Sequence, residues 1–380
     1  MQRDFDLIRR RLLATGLARP ADASPAEAVR RLGCAQGQDL PGVIASLALR
    51  APGADAAAVT AAMSVGDIVR GYPMRGTVFA VNADDLAWMG ELLRPKFGAE
   101  LARRRASQGL DEATVASIRE RALEALGGGA RATIAEAPDP AAGLTRAALG
   151  EVWAAAGHDT ASARLYHHIS TLMIEGHLVY GPWDAERREQ RIVAAAAWLP
   201  ADSTLEARFG GDRLAAIAEW LGRYLRSHGP ATLRDFAWWT KLGLAEIRRA
   251  APAATDGLVE LEIEGERAWA RPEVMEAAGG DLRAADRAML LPGFDELVLG
   301  YGDRGFLLTP EEHEAAVPGN NGVFRGIALD RARPLGTWRR GGAGARRRLE
   351  LAPFEGGRAI PKRALADFER RFAAHPWLAP

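Results

Sequence analysis

One recurring pattern constrains the fold of this 380-residue chain more than any other feature. Amphipathic helices are followed by a pair of short strands, and this happens three times in succession. In the first copy, apolar residues recur at helical spacing as far as Leu49. Asp67–Arg70 and Thr77–Val81 then read as strands, with Gly71-Tyr72-Pro73 as the predicted turn. Three helices and a hairpin are typical of a winged helix-turn-helix, in which a helix and the hairpin can both meet DNA.

The second copy repeats the pattern after a longer helical stretch. Helices are predicted near 84–105 and 112–126, and a Gly- and Pro-rich stretch follows over 127–143. Thr145 is a predicted N-cap of the next helix. A hairpin is predicted to begin at His177.

The third copy contains the clearest hairpin of the three. Leu214–Ser227 is a predicted helix, and Thr232 is a predicted N-cap of the next one. The strands Leu258–Ile263 and Ala268–Arg271 alternate in hydrophobicity around the turn 264–266. Three such units in tandem are hard to reach by chance.

Strand patterns dominate from about residue 285. Val298–Tyr301, Gly322–Leu329 and Arg333–Arg339 have strand lengths, and Pro361 opens a last helix. We interpret this region as a small β-barrel-like domain with a closing helix. The predicted fold is α+β, mainly α: tandem winged helix-turn-helix domains over 1–83, 84–200 and 201–284, and a C-terminal β-rich domain over 285–380.

Composition excludes several classes of protein. The chain has a formal net charge of zero, so any nucleic-acid-binding surface must be local. Cys34 is the only cysteine, which rules out internal disulfides and multi-cysteine metal sites. No apolar run approaches the ~20 residues of a membrane helix, and the first residues do not resemble a signal peptide. We expect a cytoplasmic monomer that associates with the nucleoid and needs no metal or cofactor.

Two glutamines, Gln36 and Gln38, stand out in a short glycine-rich stretch. Ser24 and Gly33 fit the two caps of the preceding helix, and another helical pattern starts after Pro41. The glutamines therefore belong to a tight turn between helices, outside any apolar periodicity, with side chains free to contact a ligand. Solvated turn residues are the simpler interpretation, and a pair of amides at a reaction centre is the alternative.

Four stretches together resemble the AlkZ/YcaQ-like family of winged-helix DNA glycosylases, and they span nearly the whole chain. They are the turn Gln36-Gly37-Gln38-Asp39, residues 72–78 (YPMRGTV), residues 290–304 (LLPGFDELVLGYGDR), and residues 322–325 with 336–339 (GVFR and GTWR). The resemblance implies three tandem winged helices plus a C-terminal β-barrel domain around double-stranded DNA. It also implies monofunctional excision of alkylated guanine, including the unhooking of interstrand crosslinks joined through guanine N7.

The resemblance also assigns the reaction centre, with two departures. Gln36 and Gln38 match the branch of the family that carries two glutamines as catalytic residues. Gly37 stands where a small or branched aliphatic residue is usual, and Phe79 stands where a histidine is frequent.

Two neutral amides suit this chemistry because an N7-alkylated guanine already carries a positive charge and leaves as a neutral base. Positioning a water on the C1′ carbon can then do most of the work. A glutamine amide has a carbonyl acceptor and two N–H donors, so a pair of them can hold a water and a sugar or phosphate oxygen. We expect Asp39, the nearest ionisable residue, to be the N-cap of the next helix.

The predicted DNA contacts combine donors with close backbone approach. Arg75 and Thr77 enter the first hairpin beside a glycine, where a buried structural arginine is an equally good interpretation. The run from Arg331 to Arg348 holds seven arginines and a tryptophan, which indicates a phosphate-tracking patch or a solvated loop. The further candidates for DNA contact in the family-like stretches and this run are Arg325, Trp338, Arg339 and Arg340.

Two alternatives to a glycosylase remain open from the sequence. Winged helices more often bind DNA than cut it, so a transcription regulator is one alternative. The other is a catalytically silent relative that shields or senses DNA damage. His167 and His168 lie in a predicted helix, where one is expected in the core and the other could face DNA.

Overall fold

The computed structural model describes residues 3–127, 142–342 and 346–374. Most of the predicted Gly- and Pro-rich stretch 127–143 lies outside the described residues. The chain forms two compact units, of which unit 1 combines Met1–Val59 with Ile217–Pro380 and unit 2 is Thr60–Ala216. The division into four consecutive domains stays a prediction.

Helices account for about half of the described residues, which confirms the α+β, mainly helical class. They are α1 (Phe5–Ala14), α2 (Pro25–Leu32), α3 (Leu40–Ala48), α4 (Ala56–Ser64), α5 (Ala83–Ser107), α6 (Glu112–Ala125), α7 (Arg146–Ala155), α8 (Ser162–Ile174), α9 (Ala195–Trp198), α10 (Leu205–Phe209), α11 (Arg213–His228), α12 (Leu233–Thr240), α13 (Leu244–Ala254), α14 (Pro272–Glu276), α15 (Gly280–Arg283), α16 (Glu296–Leu299), α17 (Pro310–Ala316) and α18 (Lys362–Ala373). The strands are β1 (Ala35–Gln36), β2 (Ile68–Met74), β3 (Thr77–Asn82), β4 (Leu178–Asp184), β5 (Glu189–Ala194), β6 (Ala231–Thr232), β7 (Val259–Ile263), β8 (Glu266–Ala270), β9 (Met289–Leu291), β10 (Gly326–Asp330), β11 (Arg333–Gly341) and β12 (Arg348–Pro353).

Four of the predicted helix caps are confirmed, at Ser24, Gly33, Thr145 and Thr232. The Ser24 hydroxyl accepts a hydrogen bond from the backbone of Glu27, and Gly33 ends α2 with a φ of 86°. Thr145 caps α7, and Thr232 forms a capping box with Asp235 at the start of α12. The three N-caps satisfy N–H groups that the first turn of a helix leaves without partners. No helix within the described residues combines the length and apolar character that a bilayer crossing needs.

Unit 2 is built around two antiparallel hairpins, β2–β3 and β4–β5, which join through the pair Arg70↔Tyr180. The core between them and the helices is apolar and includes Trp153 and Leu172, both fully buried. The predicted turn at 71–73 is wrong. A register shift between Gly71 and Met74 lets β2 continue through these residues, and the chain reverses at Arg75-Gly76 instead.

Unit 1 contains two antiparallel sheets. One has the order β6-β8-β7 and includes the predicted third hairpin. The other has the order β12-β11-β10-β9 and is covered by α18, whose Phe368 and Phe372 share a core with Trp338. Within the described residues this sheet is open, so the expected barrel-like closure is wrong, whereas the closing helix after Pro361 is confirmed.

One further expectation fails in unit 1. The predicted strand Val298–Tyr301 belongs instead to the short helix α16 and the residues after it. The cause is local, because the Asp295 side chain accepts a hydrogen bond from the Leu297 backbone and caps the first turn. Helix α16 places the side chain of Glu296, which directly follows Asp295, in the interior of unit 1.

Candidate active site

The glutamine turn, defined here as residues 33–39, connects α2 to α3 in unit 1. The backbone N–H of Gln38 donates to Gln36 Oε1 at 2.9 Å, and Gln36 Nε2 donates to Gln38 Oε1 at 3.3 Å. Gln36 is only 6% exposed, whereas Gln38 is exposed. The expectation of two solvent-facing side chains is therefore wrong for Gln36, whose amide is part of the packed interior and orients its neighbour.

A fully buried carboxylate anchors the turn from within the unit. The backbone N–H of Gln36 donates to Glu296 Oε1 at 3.0 Å. The indole N–H of Trp239 donates to Glu296 Oε2 at 3.1 Å. Glu296 is 0% exposed, so both contacts are shielded from water. In the protein interior, a hydrogen bond to a carboxylate is stronger than it is in water.

His228 lies on the other side of this carboxylate. Its Nε2 is 3.7 Å from Glu296 Oε2, and its Nδ1 is 2.9 Å from the Ser227 hydroxyl. The ring stacks on Tyr224 with centroids 4.4 Å apart. Burial lowers the pKa of His228 below its usual value, and the nearby carboxylate of Glu296 opposes this shift only in part. The ring is therefore neutral at neutral pH.

A separate buried ion pair holds the neighbouring carboxylate. Arg50 Nη1 and Nη2 donate to the two oxygens of Asp295 at 2.9 and 3.0 Å, and the Ser46 hydroxyl donates at 2.8 Å. Burial raises the pKa of Asp295, but the charge and hydrogen bonds of Arg50 outweigh it, so the pKa lies below its usual value. The pair therefore connects the segment just after α3 to the start of α16.

Asp39 occupies the predicted N-cap position of α3, but its side chain makes no capping hydrogen bond. Gly42 makes room for its carboxylate, and Gly293 lies beside it. A Cβ on Gly42 would lie 2.4 Å from Asp39 Oδ2, and a Cβ on Gly293 would lie 3.7 Å from the same oxygen. The Asp39 carboxylate therefore stands against bare backbone, at the edge of a cleft.

That cleft has a volume of about 720 Å³ and lies between the end of the glutamine turn and the C-terminal sheet. Asp39, Phe324, Arg325 and residues 338–340 are among its lining. The structure thus brings Asp39, at the end of the glutamine turn, and four of the six predicted DNA-contacting residues to one concave surface of unit 1, whereas Gln36 and Gln38 do not line this cleft. Clefts with convergent polar groups are the usual location of a reaction site.

The predicted DNA contacts on this cleft differ in accessibility. Arg325, Arg339 and Arg340 are exposed. Arg339 Nε donates to Glu350 at 2.8 Å, and a surface pair of this kind contributes little to stability. Trp338 is only 5% exposed and its indole donates to the Leu291 carbonyl at 2.7 Å, so it serves mainly the core.

Arg75 and Thr77 lie in unit 2, at the tip of the β2–β3 hairpin. Arg75 has a φ of 59° and Gly76 a φ of 63°, as in a two-residue turn with both residues in the left-handed region. An arginine in this conformation carries backbone strain, which is frequent at functional positions. Both Arg75 and Thr77 are half-buried.

One of the two neighbouring histidines of α8 lies in the core, as expected, and DNA contact by the other stays a prediction. His168 is 2% exposed, with its ring edge 5.3 Å from Trp153, and is the core residue. Burial, followed by the neighbouring His158, lowers the pKa of His168 to about 4. His167 Nε2 lies 3.0 Å from Gln108 Nε2. Across the described part of the chain, no three His, Cys, Asp or Glu side chains converge as metal ligands would.

Sequence reasoning missed the support behind the glutamines, namely Glu296, His228 and Trp239. One signal was present, because Asp295 and Glu296 are adjacent acids directly before the apolar run Leu297-Val298-Leu299. Two carboxylates at the start of an apolar segment must be paired when that segment is buried. The identity of their partners depends on contacts with residues far away in the chain.

Comparisons with known proteins agree with this architecture. The solved structure of the Streptomyces sahachiroi DNA glycosylase AlkZ matches with a TM-score of 0.72 at 20% identity, over 98% of this chain and 96% of that chain. The two proteins therefore share a fold. A family model described as DNA glycosylase AlkZ-like matches residues 29–375. The chain belongs to the AlkZ-like DNA glycosylase family.

A sequence relative gives a narrower match. It is named an interstrand DNA cross-link repair glycosylase, also from Streptomyces sahachiroi, and is 27% identical over 145 residues. The match covers 37% of this chain and 38% of that protein.

Proposed function

We propose that this protein is a monofunctional DNA glycosylase that hydrolyses the N-glycosidic bond of N7-alkylguanine in duplex DNA. Its substrates include bulky and crosslinked guanines, in keeping with the name of its sequence relative. The observation that supports the proposal best is the pair of amides, Gln36 and Gln38, on a turn anchored by Glu296 in an AlkZ-like chain. The three helix-and-hairpin units act as winged helices that hold the duplex.

The two glutamines have different roles in this proposal. Gln38 is exposed and holds the attacking water and an oxygen of the deoxyribose or phosphate. Gln36 is buried and fixes Gln38 through its backbone and its side chain. Since the cationic base leaves as a neutral molecule, no acid is needed to protonate it, and positioning the water at C1′ supplies most of the rate.

Charge on the cleft supports the binding of this substrate. The exposed guanidinium groups of Arg325, Arg339 and Arg340 suit the phosphates on either side of a lesion. The carboxylate of Asp39 lines the same cleft and suits the positive charge of an N7-alkylated base. The cleft therefore offers cations for the backbone and an anion for the lesion.

The test is single-turnover release of 7-methylguanine from a duplex, scored as free base and as abasic sites. Gln36→Ala and Gln38→Ala should each raise the barrier by about 2–4 kcal/mol, a loss of roughly 30- to 1000-fold in rate. Gln108→Ala, a glutamine of unit 2, is the matched control and should release base at the wild-type rate. A duplex with an N7-linked interstrand crosslink tests the larger substrate.

Three other outcomes would contradict parts of the proposal. Wild-type release by both glutamine variants would make the turn structural. Loss of DNA binding in both would make it a binding element. Binding of one palindromic operator, with no abasic sites in alkylated duplex, would support a transcription regulator instead.

A further inference from the structure

Glu296 is an unusual carboxylate because it is fully buried without a permanent cation. Among the described residues, no Lys or Arg lies within ion-pair distance of it, and its nearest basic side chain is His228, at 3.7 Å. Its neighbour Asp295 is equally buried but is paired with Arg50. The two adjacent acids therefore have different environments, and only Asp295 has the ion pair that usually accompanies burial.

Stability alone does not explain a glutamate at this position. Burial of a carboxylate is costly, and a neutral acceptor such as a glutamine amide would avoid that cost. What Glu296 provides is a pair of strong acceptors at a fixed place. Its Oε1 accepts from the backbone N–H of Gln36 at 3.0 Å, and its Oε2 accepts from the indole N–H of Trp239 at 3.1 Å.

These contacts continue directly into the glutamine turn. Gln36, held at its backbone by Glu296, accepts from the Gln38 backbone at 2.9 Å and donates to the Gln38 side chain at 3.3 Å. A continuous series of hydrogen bonds thus runs from Trp239 to the exposed Gln38. The only charged side chain in that series is Glu296.

We propose that Glu296 is the positioning residue for base excision. It fixes the backbone of Gln36 and, through Gln36, the backbone N–H and the side-chain oxygen of Gln38. This inference rests on the proposed glycosylase function. Glu296 acts through the glutamines and does not touch the DNA. Displacement of a reacting group by about 1 Å can cost on the order of 100-fold in rate, so two acceptor oxygens at a fixed place serve the reaction as well as the fold.

The variant Glu296→Gln tests this role with little change in volume. The two donors, Gln36 and Trp239, contact different oxygens of Glu296, so in the variant one of them faces an NH2 group, which cannot accept. The excision rate of 7-methylguanine should fall about 10- to 100-fold, with a DNA dissociation constant within about threefold of wild type. Adding Trp239→Phe removes the competing donor, so the double variant should recover to about the rate of Trp239→Phe alone.

Two further measurements separate positioning from stability. In a Gln36→Ala/Gln38→Ala background, Glu296→Gln should change the residual rate by less than about threefold, because residues that act as a unit are not additive. Trp153→Phe is the matched control in unit 2, where it removes a buried indole hydrogen bond to Ile118. It should lower the melting temperature without changing the excision rate at a temperature where it is folded.

The outcomes are distinguishable. No base release by the wild-type protein would overturn both the proposed function and this inference. Wild-type release together with an unchanged rate in Glu296→Gln would overturn the inference alone, as would an additive loss in the glutamine-free background. If Glu296→Gln does not fold, Trp239→Phe alone tests the positioning role. Loss of this one contact to Glu296 should slow excision about 3- to 10-fold. An unchanged rate would refute the positioning role.

Discussion

Replacement of Asp295 by Asn tests the energetics of the buried pair in unit 1. In the wild-type protein, Asp295 and Arg50 are both 0% exposed and share two hydrogen bonds, at 2.9 and 3.0 Å. The variant removes the negative charge and leaves the guanidinium buried without a counter-charge. Breaking a buried pair in this way typically costs about 3–5 kcal/mol, far more than the pair itself contributes relative to apolar residues.

The lower end of that range applies here for a structural reason. Asn keeps one carbonyl oxygen, which can still accept from Arg50 or cap the Leu297 backbone. We therefore expect a loss of about 3 kcal/mol in the free energy of unfolding. For a unit of this size, that corresponds to a fall in melting temperature of roughly 6–12 °C.

The assay is calorimetric or spectroscopic melting of wild type and variant at pH 7. Glu124→Gln is the surface control, because its partner Arg121 and Glu124 itself are both exposed, and it should cost less than about 1 kcal/mol. The double variant Arg50→Met/Asp295→Leu should recover much of the loss, since apolar replacement of a buried pair is often neutral. A melting temperature for Asp295→Asn within about 2 °C of wild type would refute the reasoning.

The pH dependence gives an independent check on the same pair. The pKa of Asp295 is lower in the folded protein than its ordinary value of 3.8. Its contribution to stability is therefore fully present above that value and is lost as the pH falls through the folded pKa. The difference between wild type and Asp295→Asn should accordingly be constant near neutral pH and shrink below about pH 4.

Three further predictions concern other parts of the chain. Arg340→Ala should weaken binding to duplex DNA of any sequence and reduce the salt slope by about one, as measured by fluorescence anisotropy at several salt concentrations. Gly293→Ala should destabilise the protein by roughly 1–3 kcal/mol in thermal melting, because the added Cβ would lie 2.5 Å from the Phe324 carbonyl oxygen. The wild-type protein should lose stability as the pH falls from about 6.5 towards 4, because His168 stays neutral in the folded state while it is protonated in the unfolded state. In denaturant titrations, the variant His168→Gln should lack this part of the pH dependence.

Local rules predicted most of the secondary structure. The caps at Ser24, Thr145 and Thr232 are decided by side chains within three residues, so the sequence alone locates them. The turn at 71–73 failed because a bulge is decided by strand pairing rather than by turn residues. The strand at 298–301 failed because an apolar run of four residues fits a buried helix turn as well as a strand.

The candidate site was predictable only in its outer part. The glutamine turn and the arginine-rich strand are visible as patterns in the sequence. The burial of Gln36 was not, because it depends on Glu296 and Trp239, which follow it by hundreds of residues. Contacts of that range leave no periodicity and no motif spacing, so they become visible only when the chain is folded.

The long separation between the glutamine turn and its anchor has a consequence for how the protein is made. Gln36 and Glu296 are 260 positions apart, and at about 5–20 residues per second the ribosome needs roughly 13–52 seconds to synthesise the intervening chain. Throughout that interval the nascent turn lacks its acceptor, and Arg50 lacks Asp295. Loop closure over such a distance also makes this step slow relative to the formation of local helices. A nascent chain therefore acquires an ordered glutamine pair only late in translation, which delays any reaction at that pair until the segment around α16 has been synthesised and folded against the first helices.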